Sequence, residues 1–113
     1  MNTSELRLLA CRELPEEIEI RKYGAVEQPA WIDSSIWITD REWLYVASLL
    51  EKKIHGLAIE IDWLEDLEKI VKRENVEWED GITAEILLVQ ATADQRIEAY
   101  FRTVKPGLFQ STP

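Results

Sequence analysis

Residues 39–56 specify both ends of a helix by themselves, so any fold the chain adopts must find a surface for that helix's apolar side. Thr39-Asp40-Arg41-Glu42 has the form of a capping box: the threonine oxygen accepts from the Glu42 amide, and the Glu42 carboxylate reaches back to the first amide. Trp43, Val46, Ala47, Leu50 and Ile54 then recur at helical spacing. Lys52, Lys53 and His55 suit the negative end of the helix dipole, and Gly56 can take the left-handed cap.

Around this helix the pattern predicts strands. Leu6 and Leu8 alternate with Glu5 and Arg7, and Ile18 and Ile20 alternate with Glu17, Glu19 and Arg21, each as a half-buried strand would. Trp31-Ile32 and Ile36-Trp37-Ile38 flank Asp33-Ser34-Ser35 as strand, turn and strand. Leu57, Ile59 and Ile61 predict a short strand ending at Asp62, which with Glu65 caps a second helix. That helix carries the stripe Leu64, Leu67, Ile70 and Val71 and stops at Asn75. Asp80-Gly81 predicts a hairpin within residues 76–82, and residues 85–91 and 96–104 read as strands on either side of Thr92-Ala93-Asp94-Gln95. Pro106-Gly107 ends the regular structure, and the last residues should fray.

These elements sum to one α+β domain over residues 1–113: a mostly antiparallel sheet of about five to seven strands with two helices packed on one face. A length of 113 residues suits a single core, and no repeat or Gly/Ser linker divides it. Hydrophobic residues at 46% and charged residues at 31% place the chain among globular proteins rather than disordered ones. Cys11, the one cysteine, forbids an internal disulfide and reads as a small buried hydrophobe in a reducing compartment. The first residues lack a basic, then apolar, leader, and no apolar run reaches a membrane span, so a cytoplasmic protein without membrane association is expected.

The formal charge of −9 repels phosphate backbones and anionic membranes and favours basic partners, which argues against direct nucleic-acid binding. His55, the one histidine, stands where a charge–dipole contact explains it, and no nucleophile elbow or phosphate-binding loop is present. One cysteine and one histidine do not make a zinc site, and the acidic segment lacks calcium-loop spacing, so neither metal nor cofactor is expected. The pairs Glu16-Glu17, Glu65-Asp66 and Glu79-Asp80 would serve as acid and base only if the fold opposed two of them, and a solvated surface is their commoner state.

The excess of acid is greatest between Glu60 and Asp80, where nine carboxylates face Lys69, Lys72 and Arg73 and where Trp63 and Trp78 also lie. Much of that excess is ordinary for a helix start and a soluble surface. Its functional meaning would be a docking face for a basic protein, with Asp62, Trp63, Glu65, Asp66, Glu77, Trp78 and Glu79 as contacts, an indole as anchor and carboxylates steering approach. The expectation is thus a non-enzymatic inhibitor or regulator acting on a partner such as a nucleic-acid-binding protein or a nuclease, by analogy of charge and size with immunity proteins. The alternatives are a small enzyme or ligand-binding domain with a pocket lined by Trp31, Trp37, Trp43 and Tyr45, and a subunit that assembles with itself or a complex through a sheet edge guarded by Glu98, Arg102 and Lys105.

Overall fold

The structure, a computed structural model, describes residues 2–34, 36–74 and 91–109, the side chain of Tyr23 excepted. Helix α1 (Thr3–Glu13) leads into a hairpin of β1 (Ile18–Tyr23) and β2 (Val26–Trp31). A 3-10 turn (Asp40–Glu42) opens α2 (Trp43–Lys52), followed by α3 (Ile59–Glu74), α4 (Ala93–Val104) and a closing 3-10 turn (Pro106–Phe109). The expected sheet of five to seven strands with two helices is therefore overturned: the described residues form four helices and a two-stranded antiparallel sheet. The predicted hairpin at 76–82, the strand at 85–91 save its last residue, and the stop at Asn75 lie outside the described residues.

Strand β1 and α2 follow their sequence signals, whereas β2 runs from Val26 through Pro29 to Trp31, ahead of the strand expected at Trp31-Ile32, and of the strand expected at Ile36-Trp37-Ile38 only Trp37 makes a bridge. Strands β1 and β2 pair from Ile18 opposite Trp31 to Tyr23 opposite Val26, and Gly24 takes the left-handed φ of +63° that the tight turn needs. Trp37 bridges Ala30 beyond the turn at residues 32–34, the Trp31 amide donating to the Ile36 carbonyl. The Thr39–Glu42 capping box is formed, and Trp43, Val46, Ala47 and Leu50 are buried.

Three predicted strands are helix instead. In α1 the Asn2 side chain accepts from the Glu5 amide at 2.9 Å, and Leu6, Ala10 and Cys11 share the buried face, a spacing no strand provides. Leu57, Ile59 and Ile61 are all substantially exposed, and α3 begins at Ile59, with the Glu60 carboxylate accepting from the Gly56 amide. In α4 the Thr92-Ala93-Asp94-Gln95 segment is a second capping box, and Ile97, Tyr100 and Phe101 face inward at helical spacing. Glu98 and Arg102 therefore lie on a helix, paired with each other, and guard no sheet edge.

Helix α4 is the centre of the packing, touching α1, α2 and α3, while α1 also covers β1. A two-stranded hairpin is marginal in water without such a cover. The core is one cluster built on Phe101, Leu50, Leu67, Ile97, Val46 and Cys11. Burial pushes the Cys11 thiol up to about 12 against the opposing pull of Arg12, so it packs as a hydrophobe and carries no thiolate. Arg7 joins three helices: its guanidinium meets both Asp94 oxygens at 2.9 and 3.1 Å and lies 4.8 Å from the Trp43 ring centre.

Candidate functional site

The acidic face expected on α3 divides when folded. Trp63 is 5% exposed and belongs to the inner stripe with Leu67, Ile70 and Val71, so it offers no surface anchor. Asp62 and Glu65 are exposed on the outer side, while Asp66 accepts from the Thr103 hydroxyl at 2.8 Å and ties α3 to α4. Glu77, Trp78 and Glu79 lie outside the described residues. Of the expected contacts, the structure thus leaves Asp62 and Glu65 open to solvent without an accessible indole supplied by Trp63.

A different set of carboxylates gathers around a different indole. Trp31, at the end of β2, and Tyr45, in the first turn of α2, form a corner with ring centres 5.7 Å apart and planes at 55°. Together with Glu16, Glu17, Asp33, Ser34 and Glu42 they line a hollow of about 350 Å³. Three separate stretches of chain supply this lining: the turn after α1, the end of β2 with its following turn, and the 3-10 turn running on into α2. The capping box does double duty here. Glu42 accepts from the Thr39 hydroxyl at 2.8 Å and the Thr39 amide at 3.1 Å, and its other oxygen accepts from Trp31 Nε1 at 2.5 Å.

These hydrogen bonds, that of the Thr39 hydroxyl first, hold the Glu42 carboxyl below its ordinary range. It is an anion at neutral pH and has no proton to give as a general acid. The lining contains no histidine, cysteine, lysine or arginine. What the hollow does hold is negative charge against an aromatic corner, the surroundings that favour an organic cation.

Charge pairing elsewhere sharpens this contrast. Most lysines and arginines are committed: Arg7 to Asp94, Arg96 to Glu51, Arg73 and Arg102 to Glu98, and Lys53 and Lys105 to Glu13. Glu16, Glu17 and Asp33 form no ion pair among the described residues, and Arg41, exposed on the neighbouring turn, is not part of the lining. Four further hollows each include a lysine or arginine in their walls.

Of the aromatic pocket expected from sequence, the structure brings together Trp31 and Tyr45 and separates the other two. Trp43 is core, and Trp37 is 37% exposed outside the lining. The carboxylates were the part missed, although one signal stood in the sequence: from Glu27 to Asp40 the chain carries acids and aromatics but no lysine or arginine. His55 is exposed past the end of α2, with Nδ1 3.4 Å from Glu60. Among the described residues no group of three or more potential ligands is placed to hold a metal ion, and no helix is long and apolar enough to cross a membrane. No family model, curated protein or solved structure matches the chain.

Proposed function

We propose that the chain is a non-enzymatic interaction module, an inhibitor or regulator that docks on a basic surface of a partner protein, and that the Trp31–Tyr45 hollow receives a lysine or arginine side chain of that partner. The observation that carries the reading is the coincidence, in one hollow, of two aromatic rings and four carboxylates with no basic residue. A cation entering it would stack its methylenes and charge on the rings while Glu42, held ionised, and Glu16, Glu17 and Asp33 supply the countercharge. Exposed Ile32, Ile36 and Trp37, next in sequence to the hollow, offer an apolar surround of the kind that excludes water at an interface. The cytoplasm, where lone thiols such as Cys11 stay reduced, is the compartment that fits this reading.

Charge-matched variants test the proposal. Glu16→Gln with Asp33→Asn empties the hollow of two exposed carboxylates, and Asp62→Asn with Glu65→Gln removes two from α3, so both pairs change the net charge alike. With an arginine-glycine repeat peptide as probe, and tryptophan fluorescence as readout, the first pair should weaken binding about fivefold more than the second. Equal losses would mean that the peptide senses only the overall field.

A further inference from the structure

The ladder between β1 and β2 shows which way each backbone group of β1 points. The Ile32 amide donates to the Glu17 carbonyl, so along the register Glu19 and Arg21 turn their amides and carbonyls toward β2, while Ile18, Ile20 and Lys22 turn theirs away from it. Pro29 and Trp31, opposite Ile20 and Ile18, repeat the alternation on the other strand: the Pro29 carbonyl accepts from the Ile38 amide, and the Trp31 amide donates to the Ile36 carbonyl. The outer side of β2 is thus already engaged there. On the outer side of β1 the Ile18 amide donates to the Leu14 carbonyl at 3.0 Å, and the amides of Ile20 and Lys22 and the carbonyls of Ile18 and Ile20 meet no partner among the described residues. The strand's apolar side chains are not what this edge offers, since Ile18 and Ile20 pack into the core that α1 shares. Lys22, of the type that often guards an edge, has its charge met by Glu27 at 3.8 Å.

The charges beside this edge say what fits it. Glu19 and Arg21 lie on the other face of the strand, half-buried, with Arg21 Nε donating to Glu19 at 2.6 Å. When a second copy of β1 runs antiparallel with Ile20 opposite its own counterpart, Glu19 of each copy stands opposite Arg21 of the other, in the close, non-hydrogen-bonded type of pair. Sliding the copies by two residues either way, the least that keeps outward groups together, sets Glu19 against Glu19 or Arg21 against Arg21. One register alone is self-complementary. It makes four backbone hydrogen bonds, two between the Ile20 residues and two from the Lys22 amides to the Ile18 carbonyls, and it turns a two-stranded sheet into one of four strands, past the size at which a hairpin is marginal.

We propose that the chain pairs with a second copy of itself across the outer edge of β1, antiparallel about Ile20, with Glu19 and Arg21 exchanging partners between copies. This contact is independent of the function proposed for the Trp31 hollow. Sedimentation of a dilution series at physiological salt, where repulsion between two acidic chains is screened, should show a reversible dimer. Glu19→Arg and Arg21→Glu each place like charges opposite one another and should each weaken self-association about tenfold. Mixing the two variants restores both opposite-charge pairs between chains, and with them the net charge of two wild-type chains, so the mixture should dimerise as the wild type does. That rescue separates the contact from the Glu19–Arg21 pair within one strand, which both variants lack. In the wild type the Ile20 amide should exchange with solvent more slowly at high protein concentration than at low. A wild type that stays monomeric throughout the series would overturn the proposal, and so would a dimer that either variant leaves unweakened, that mixing fails to rescue, or that leaves Ile20 exchange independent of concentration.

Discussion

Glu42 satisfies three donors with two oxygens, and through them one side chain closes the entry to α2, orients Trp31 and charges the hollow. Its depressed pKa sets the sign of a pH effect. Because the folded carboxyl gives up its proton more readily than the unfolded one, its stabilisation is fully present above the unfolded value, about pH 4.3, and is lost as pH falls through the folded value. Glu98 behaves in the same direction: burial raises its pKa, but hydrogen bonds from Arg102 and Arg73 outweigh that and leave it lowered. Comparing the wild type with Glu42→Gln cancels the Glu98 contribution. Melting temperatures followed from near-neutral pH downward should fall more for the wild type, so that the two curves approach each other at the acid end. Parallel curves would mean that the three hydrogen bonds add nothing beyond what an uncharged amide supplies.

At the scale of elements the fold turns on α4, which makes its two ends unequal. The Thr92–Gln95 box lies at its start and Phe101, fully buried, lies in its last turn within the shared core. Thr92→Ala should lower unfolding free energy by about 1 kcal/mol, and Phe101→Ala by about 3–5 kcal/mol, both read from urea denaturation with the slope unchanged in the first case. A larger loss for the cap than for the ring would mean that α4 is held by its end rather than by its packing. This helix is also where the sequence misled. Residues 96–104 hold isoleucine, threonine, valine and two aromatics, which suit a strand by composition, yet Ile97, Tyr100, Phe101 and Val104 already stand at helical spacing behind a capping box of the same form as Thr39–Glu42. In α1 the alternation ran over only four residues, too few to separate period 2 from 3.6. Helix α2 was legible because cap and stripe agree within one stretch, and β1 because Pro15 and Gly24 bound its alternation. Trp63 was misread as a surface anchor, although it stands four before Leu67 and seven before Ile70, the spacing of the inward stripe. The Trp31 hollow was only half legible: its rings stood out, but carboxylates from three separate stretches of chain are gathered by tertiary structure, which spacing does not encode.

For the molecule as a whole, the formal charge of −9 and its local arrangement act on different steps of association. Long-range attraction depends on the total charge seen from beyond a Debye length, about 8 Å at physiological salt, and so does not distinguish a carboxylate at Asp33 from one at Asp62. Contact within the hollow begins only after encounter and governs escape. Removing Glu16 and Asp33 as charges, or Asp62 and Glu65, should therefore slow association with the arginine-glycine peptide to the same small degree, and added salt should slow it steeply for the wild type and both variants. The dissociation rate should rise for the Glu16–Asp33 pair alone, and Tyr45→Ala, which leaves the charge untouched, should raise it with no change in association. Stopped-flow fluorescence at several ionic strengths separates the two rates. An association rate insensitive to salt would remove the steering role of the net charge, whereas a Tyr45 variant that dissociates like the wild type would take the aromatic corner out of the contact and leave recognition to charge alone.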